Sequence, residues 1–192
     1  MIDREELKAK GRKLISPIVG LFVALRVPPN ALSLIGFILS LGVAYLYAVG
    51  EIRWAGVLLF FAGGADAVDG EVARRSGMVS RFGALLDSSL DRMSEFVVFG
   101  GLLYRFGYDP FWFAVLFSGL MFSVMVSYLR ARGEGLGVSV KAGLMDRMGR
   151  YIYLIIASIL DGGLFLPLMF IFALLVAMTV VTRWLKLYNN LS

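Results

Sequence analysis

Six carboxylates interrupt stretches of this chain that otherwise read as apolar helix: Asp66, Asp69, Glu71, Asp87, Asp91 and Glu95, all within GGADAVDGEVARRSGMVSRFGALLDSSLDRMSE (residues 63–95). An ionised carboxylate near the centre of a bilayer costs at least about 2.5–3.5 kcal/mol, and neighbouring ones repel. Such a cluster demands a compensating cation in a hydrated, protein-lined cavity. Asp66 and Asp69 are three residues apart, and Asp87 and Asp91 four, so each pair occupies one helix face on successive turns. Two antiparallel neighbouring helices turning these faces together would make an oxygen-rich site for one or two divalent ions. Paired ions about 3.5–4 Å apart clamp the attacking and leaving oxygens of a phosphoryl displacement. The same acids could line an ion pathway in a transporter, or pair with Arg74 or Arg92. For Glu71 and Glu95, pairing with nearby arginines is the expected role.

The elements that must carry these residues are membrane helices. Of the 192 residues, 59% are hydrophobic and the mean hydropathy is +0.79, well above a soluble domain. Residues 27–50, 110–129 and 162–182 contain no charge, and each run approaches the about 20 residues an apolar helix needs to cross a bilayer. Three further apolar segments carry charges. The expected fold is an all-α integral membrane protein with six transmembrane helices, at about 31–49, 54–73, 82–103, 111–132, 144–160 and 164–182. Residues 3–16 add an N-terminal amphipathic interfacial helix, with Leu7, Leu14 and Ile15 opposite Lys8, Lys10, Arg12 and Lys13. Asn30 is placed to cap the first transmembrane helix. Residues 1–192 form one domain, with no cleavable signal.

Lys and Arg gather in the N-terminal segment and in alternate loops, leaving only Arg53 and Arg105 for the other side. This puts both termini and the acidic cluster on the cytoplasmic side of a multi-pass cell-membrane protein. The net charge of +5 is mainly this topology signal. Cations spread along membrane boundaries argue against nucleic acid. With no Cys and no His, thiolate and imidazole ligands are excluded. A carboxylate-only site favours a hard ion, Mg²⁺ or Mn²⁺. The stretch Gly133-Glu134-Gly135-Leu136-Gly137 superficially resembles a dinucleotide loop but follows a membrane helix, and a flexible loop is expected. Gly36, Ser40 and Ala44 form a small-residue face suited to helix packing.

The run Asp66-x2-Asp69-Gly70-x2-Ala73-Arg74-x8-Gly83-x3-Asp87-x3-Asp91 matches every fixed position of the CDP-alcohol phosphotransferase signature, and the chain resembles that family. The resemblance implies that a CDP-linked lipid, CDP-diacylglycerol or CDP-archaeol, loses CMP to an acceptor hydroxyl. It implies that Asp66, Asp69, Asp87 and Asp91 share two divalent ions and that Asp91 is the base. It assigns the CDP moiety to Asp66, Asp69, Gly70, Ala73, Arg74, Ser80 and Gly83, and to Pro29-Asn30-Ala31-Leu32. Members of the family commonly form homodimers.

The acceptor is read from Ser127-Tyr128-Leu129-Arg130-Ala131-Arg132-Gly133-Glu134 followed by Arg147 and Arg150, a pattern similar to the branch that uses inositol 1-phosphate. That branch implies an acceptor-phosphate pocket of Ser127, Arg130, Arg132, Arg147, Arg150 and Arg183. A dianionic phosphate in a partly dehydrated pocket needs several fixed donors, which guanidinium groups supply. The alternative is that these arginines are positive-inside residues. Serine and glycerol 3-phosphate remain alternative acceptors, the second of which would use the same arginines.

Overall fold

The computed structural model describes residues 15–140, 142–161 and 163–191. The described residues form seven helices: α1 (Ile15–Ala24), α2 (Pro29–Val49), α3 (Ile52–Ser76), α4 (Arg81–Phe106), α5 (Pro110–Gly135), α6 (Arg147–Leu160) and α7 (Phe165–Leu191). The interfacial helix expected at 3–16 lies almost wholly outside the described residues, as do Lys141 and Gly162. Among the described residues α2, α5 and α7 are long and apolar enough to cross a membrane. α3 and α4 fall short because of their charges. α6, with 14 residues, spans about 21 Å at 1.5 Å per residue.

Local chemistry sets the ends. α2 starts at Pro29 with Pro28 before it and no side-chain cap, so Asn30 lies inside the first turn and does not cap it. Proline at the first helical position has its φ preset and no N–H left to satisfy. Three other helices are capped by side chains that accept from backbone N–H groups. Ser80 caps α4 at Gly83 N (2.9 Å), Asp109 caps α5 at Phe111 N (2.8 Å), and Asp146 caps α6 at Gly149 N (2.9 Å). The Asp146 cap moves the start of α6 from the expected 144 to 147, since Gly143 has φ +95° and Met145 N donates to Thr179 Oγ1 (3.3 Å). α7 runs nine residues beyond the expected 182, because hydropathy marks only the apolar part of a helix that continues into polar sequence. The stretch 133–137 is not all loop, since it ends α5 and turns only at Leu136 and Gly137. Gly133 and Gly135 belong to α5, and a Cβ on Gly133 would lie 2.8 Å from Leu187 and 3.0 Å from the Val138 carbonyl.

α2 packs against both α3 and α4, α3 against α6, α5 against α4 and α7, and α6 against α7. α3 and α4 share no extensive contact, contrary to the expectation that they are packed neighbours. α2 lies between them, and a cleft opens where their acidic faces meet. The main core joins Tyr47, Leu59, Phe99, Leu102, Leu116, Leu154, Met169 and Phe172. A smaller cluster of Val19, Leu32, Val68 and Val72 pins α1 at the end of the bundle where α2 begins. Gly36 and Ser40 are buried, with Gly36 facing Ala62 and Ala65, and Gly101 sits directly on Ala44. The small face of α2 therefore serves packing within the chain. Outward-facing Ile38, Tyr45, Phe60, Phe61, Phe117, Ile156 and Leu174 form the apolar surface that lipid would cover.

Candidate active site

Asp66 and Asp69 project from α3 toward Asp87 of α4, and one carboxylate oxygen from each lies within 4.8 Å of the others. At that separation two ionised carboxylates repel by about 3.5 kcal/mol at an effective dielectric of about 20, so the group requires positive charge. Part of it comes from α6. Arg147 Nη2 donates to Asp66 Oδ1 at 2.7 Å and also contacts Asp91 Oδ1. Asp91, expected as a fourth ligand, sits one turn further along α4 and is held by Arg147 and by Arg92 (3.4 Å to Oδ2). Asp69 is 5% exposed, and its Oδ2 accepts a hydrogen bond from Ser33 Oγ of α2. Together with Ser33, Ser40, Ser94 and Tyr151, three of the aspartates (66, 87 and 91) line a cleft of about 260 Å³. An all-carboxylate donor set beside polar hydroxyls fits a hard divalent cation.

The residues assigned to CDP fall into two groups around this cleft. A Cβ on Gly83 would lie 3.0 Å from Ser80 Oγ and 3.2 Å from Asn30 Oδ1, so Asn30, Ser80 and Gly83 meet where α2 and α4 begin. On α3, the Arg74 guanidinium lies over Gly70, its Nη1 3.5 Å from where a Cβ would stand. Glu71 Oε2 holds it, accepting from Arg74 Nε at 3.1 Å and Nη2 at 2.8 Å. Glu71 also accepts from Arg75, whose Nη1 reaches Ser16 of α1 (3.0 Å). Pro29, Ala31 and Ala73 are half-buried. Leu32 is 3% exposed and packs with Val19 of α1 and Val68 and Val72 of α3.

The acceptor arginines do not converge on one open pocket. Arg147 faces the aspartates. Arg150 is 2% exposed and bonded to Glu95, Ser127 and the Met145 carbonyl. Arg183 donates to the carbonyls of Ala142 (2.9 Å) and Val126 (2.7 Å). Arg130 pairs with Glu134 at 2.9 Å, and Arg132 is exposed. Glu71 pairs with the nearby Arg74 and Arg75 as expected, whereas Glu95 pairs with Arg150 of α6, fifty-five positions away, and not with a nearby arginine. Sequence reasoning missed Ser33, Tyr151 and Thr179. Ser33 was the most legible of them, a polar residue one turn after Asn30 in an otherwise apolar helix.

The sequence pattern of the CDP-alcohol phosphatidyltransferases matches residues 26–188. The chain is 35% identical to the phosphatidylinositol phosphate synthase of Corynebacterium glutamicum over 161 residues, covering 79% of this chain and 74% of that one. It is 34% identical to the archaetidylinositol phosphate synthase of Pyrococcus horikoshii over 158 residues, 82% of each chain. Among solved structures, Mycobacterium tuberculosis phosphatidylinositol phosphate synthase with CDP-DAG bound superposes with a TM-score of 0.83 at 25% identity, covering 92% of this chain and 94% of that one. The same enzyme in complex with manganese and citrate superposes with a TM-score of 0.81 at 26% identity, covering 90% and 88%. An acidic cleft between two helices that carry every fixed residue of the signature, in a chain matched from 26 to 188, makes this a member of the CDP-alcohol phosphatidyltransferase family.

Proposed function

We propose that this protein transfers the lipid-phosphate group of a CDP-activated lipid to a hydroxyl of 1L-myo-inositol 1-phosphate, releasing CMP. The observation that carries the reading is the grouping of Asp66, Asp69 and Asp87 at the mouth of a cleft whose wall brings Arg147 and Asp91 together. The acceptor oxygen forms a bond to the lipid-linked phosphorus as the bond from that phosphorus to the CMP oxygen breaks. Asp91 accepts the proton lost by the acceptor, and Arg147 keeps that carboxylate aimed into the cleft. Divalent cations held by Asp66, Asp69, Asp87 and Asp91, two in number, supply charge neutralisation for the diphosphate and acidify the acceptor hydroxyl when bound. Asn30, Ser80, Gly83, Gly70 and Arg74 line the place for the CDP moiety. The guanidinium of Arg147 on the cleft wall beside the aspartates supports a phosphate-bearing acceptor, because such a group holds phosphate oxygens through paired hydrogen bonds.

In this reading α2 to α7 all span the membrane, with the cleft and both termini cytoplasmic. The outward aromatic residues Trp54, Tyr104 and Tyr108 at one end of the bundle and Trp184 and Tyr188 at the other support two interfacial belts. The chain works as a homodimer, which molecular mass in detergent tests. For the reaction, the purified protein is given CDP-diacylglycerol, Mg²⁺ or Mn²⁺, and inositol 1-phosphate, glycerol 3-phosphate and serine in competition. Inositol 1-phosphate should be consumed preferentially, and Asp91→Asn should lower CMP release by about 10²–10⁴-fold. Preferential use of serine, unaffected by Arg132→Ala or Arg150→Ala, would refute the acceptor reading.

A further inference from the structure

Beneath the aspartates lies an ion pair that the reaction as described does not use. Arg150 is the largest fully buried side chain among the described residues. A guanidinium keeps its charge at any ordinary pH, so burying it demands a counter-charge. Glu95, one turn below Asp91 on α4, supplies it: its Oε1 accepts from Arg150 Nε at 2.8 Å and Nη2 at 2.6 Å. Nη2 also donates to Ser127 Oγ on α5 (3.1 Å), and Nη1 to the Met145 carbonyl just before α6 (3.1 Å). Among the described residues these four bonds take four of the five guanidinium hydrogens.

Stability is a poor reason for such a pair, since apolar side chains of the same shape generally serve as well or better. Its distinctive effect is to hold a guanidinium, and the helix carrying it, in one orientation. α4 and α6 share no extensive contact. Two ion-pair rungs bridge them, Asp91 with Arg147 and Glu95 with Arg150. The lower rung is the buried one, so it sets the turn of α6 from which Arg147 reaches the aspartates. Glu95 Oε2 and Ser123 Oγ have no hydrogen-bond partner among the described residues. Both residues line a small cavity with Ser94, Tyr151 and Phe172, a setting in which an ordered water satisfies buried polar atoms.

We propose that Glu95 is a positioning residue for the acceptor: through Arg150 it fixes the first turn of α6, and so holds Arg147, which lines the cleft beside the aspartates, in place for the acceptor phosphate. This rests on the phosphate-bearing acceptor proposed above. The test uses the full-length protein in lipid–detergent micelles, with KM for donor and acceptor measured separately beside thermal unfolding. Glu95→Gln should raise the acceptor KM about tenfold or more, the loss typical when the outer partner of a ligand-holding side chain is removed. The CDP-lipid KM should stay near wild type, while the unfolding temperature should fall because the buried guanidinium loses its counter-charge. Glu95→Asp keeps the counter-charge, and hence the fold, but draws the carboxylate back by one methylene. It should raise the acceptor KM severalfold, again without touching the donor KM, and it decides the matter if Glu95→Gln does not fold. An unchanged acceptor KM in whichever of these variants folds, or donor and acceptor KM rising together, overturns the proposal. If the wild type consumes glycerol 3-phosphate instead, the inositol assignment fails while the same comparison with that acceptor still judges Glu95.

Discussion

Gly101 is where the architecture is most sharply testable. It faces α2, and a Cβ built on it would stand 2.2 Å from the Ala44 carbonyl oxygen and 2.8 Å from both the Ala44 carbonyl carbon and Cα. All three atoms are backbone, so no side chain can swing away. Ordinary contact lies beyond 3 Å, and Gly101→Ala therefore has to part α2 and α4 by about 1 Å, with an overpacking cost of about 1–3 kcal/mol. For a chain of this size each kcal/mol corresponds to about 2–4 °C, so the unfolding temperature should fall by about 2–12 °C. The same two helices carry Asn30 and Ser33 on one side of the cleft and Asp87 and Asp91 on the other. A displacement near 1 Å at a reacting geometry can cost about 10²-fold, so CMP release should fall as well. The matched control is Gly100→Ala, since nothing lies within 4 Å of a Cβ there. That change should be neutral or slightly stabilising, as alanine is the better helix former. Thermal unfolding in detergent and CMP release from CDP-diacylglycerol, run side by side on both variants, decide the point. Equal behaviour of the two would refute the close α2–α4 crossing.

Other perturbations read the site itself. Ser33→Ala removes the hydroxyl that donates to Asp69. The Mn²⁺ concentration for half-maximal activity should rise about 10–100-fold with little change in unfolding temperature, and an unaltered metal dependence would count against Asp69 as a ligand. Asp146→Ala removes the cap of α6 and should lower stability by about 1 kcal/mol. Asp146→Ser should recover most of that loss, and equal unfolding temperatures for the two variants would show that the cap is unimportant.

The chemistry of this protein was legible in linear order because it is written within a helix turn. Asp66 and Asp69, and Asp87 and Asp91, share faces by spacing alone, and an apolar chain holding them needs a cation whatever the fold. Helix type was equally legible from long uncharged runs, but the one cap expected, Asn30, lies inside its helix. Helix ends were less so, because hydropathy reports the solvent a helix traverses and not where its hydrogen bonds stop. That is why α7 outruns its apolar segment.

Partnership across the bundle was decided only by the tertiary structure. Nothing local links Arg150 to Glu95, fifty-five positions away, or Ser33 to Asp69, thirty-six away. Nor does anything local say that α2 separates α3 from α4 and so opens the cleft. Arginines that resemble a single phosphate pocket in the sequence are divided by packing. Arg147 goes to the aspartates, Arg150 to a buried carboxylate and Arg183 to the carbonyls of Ala142 and Val126, because each guanidinium takes the acceptors its helix brings within reach. Residue types and spacing determined which chemistry is possible here. The order in which the helices pack determined which side chains meet to perform it, since those contacts are made between faces that only the assembled bundle brings together.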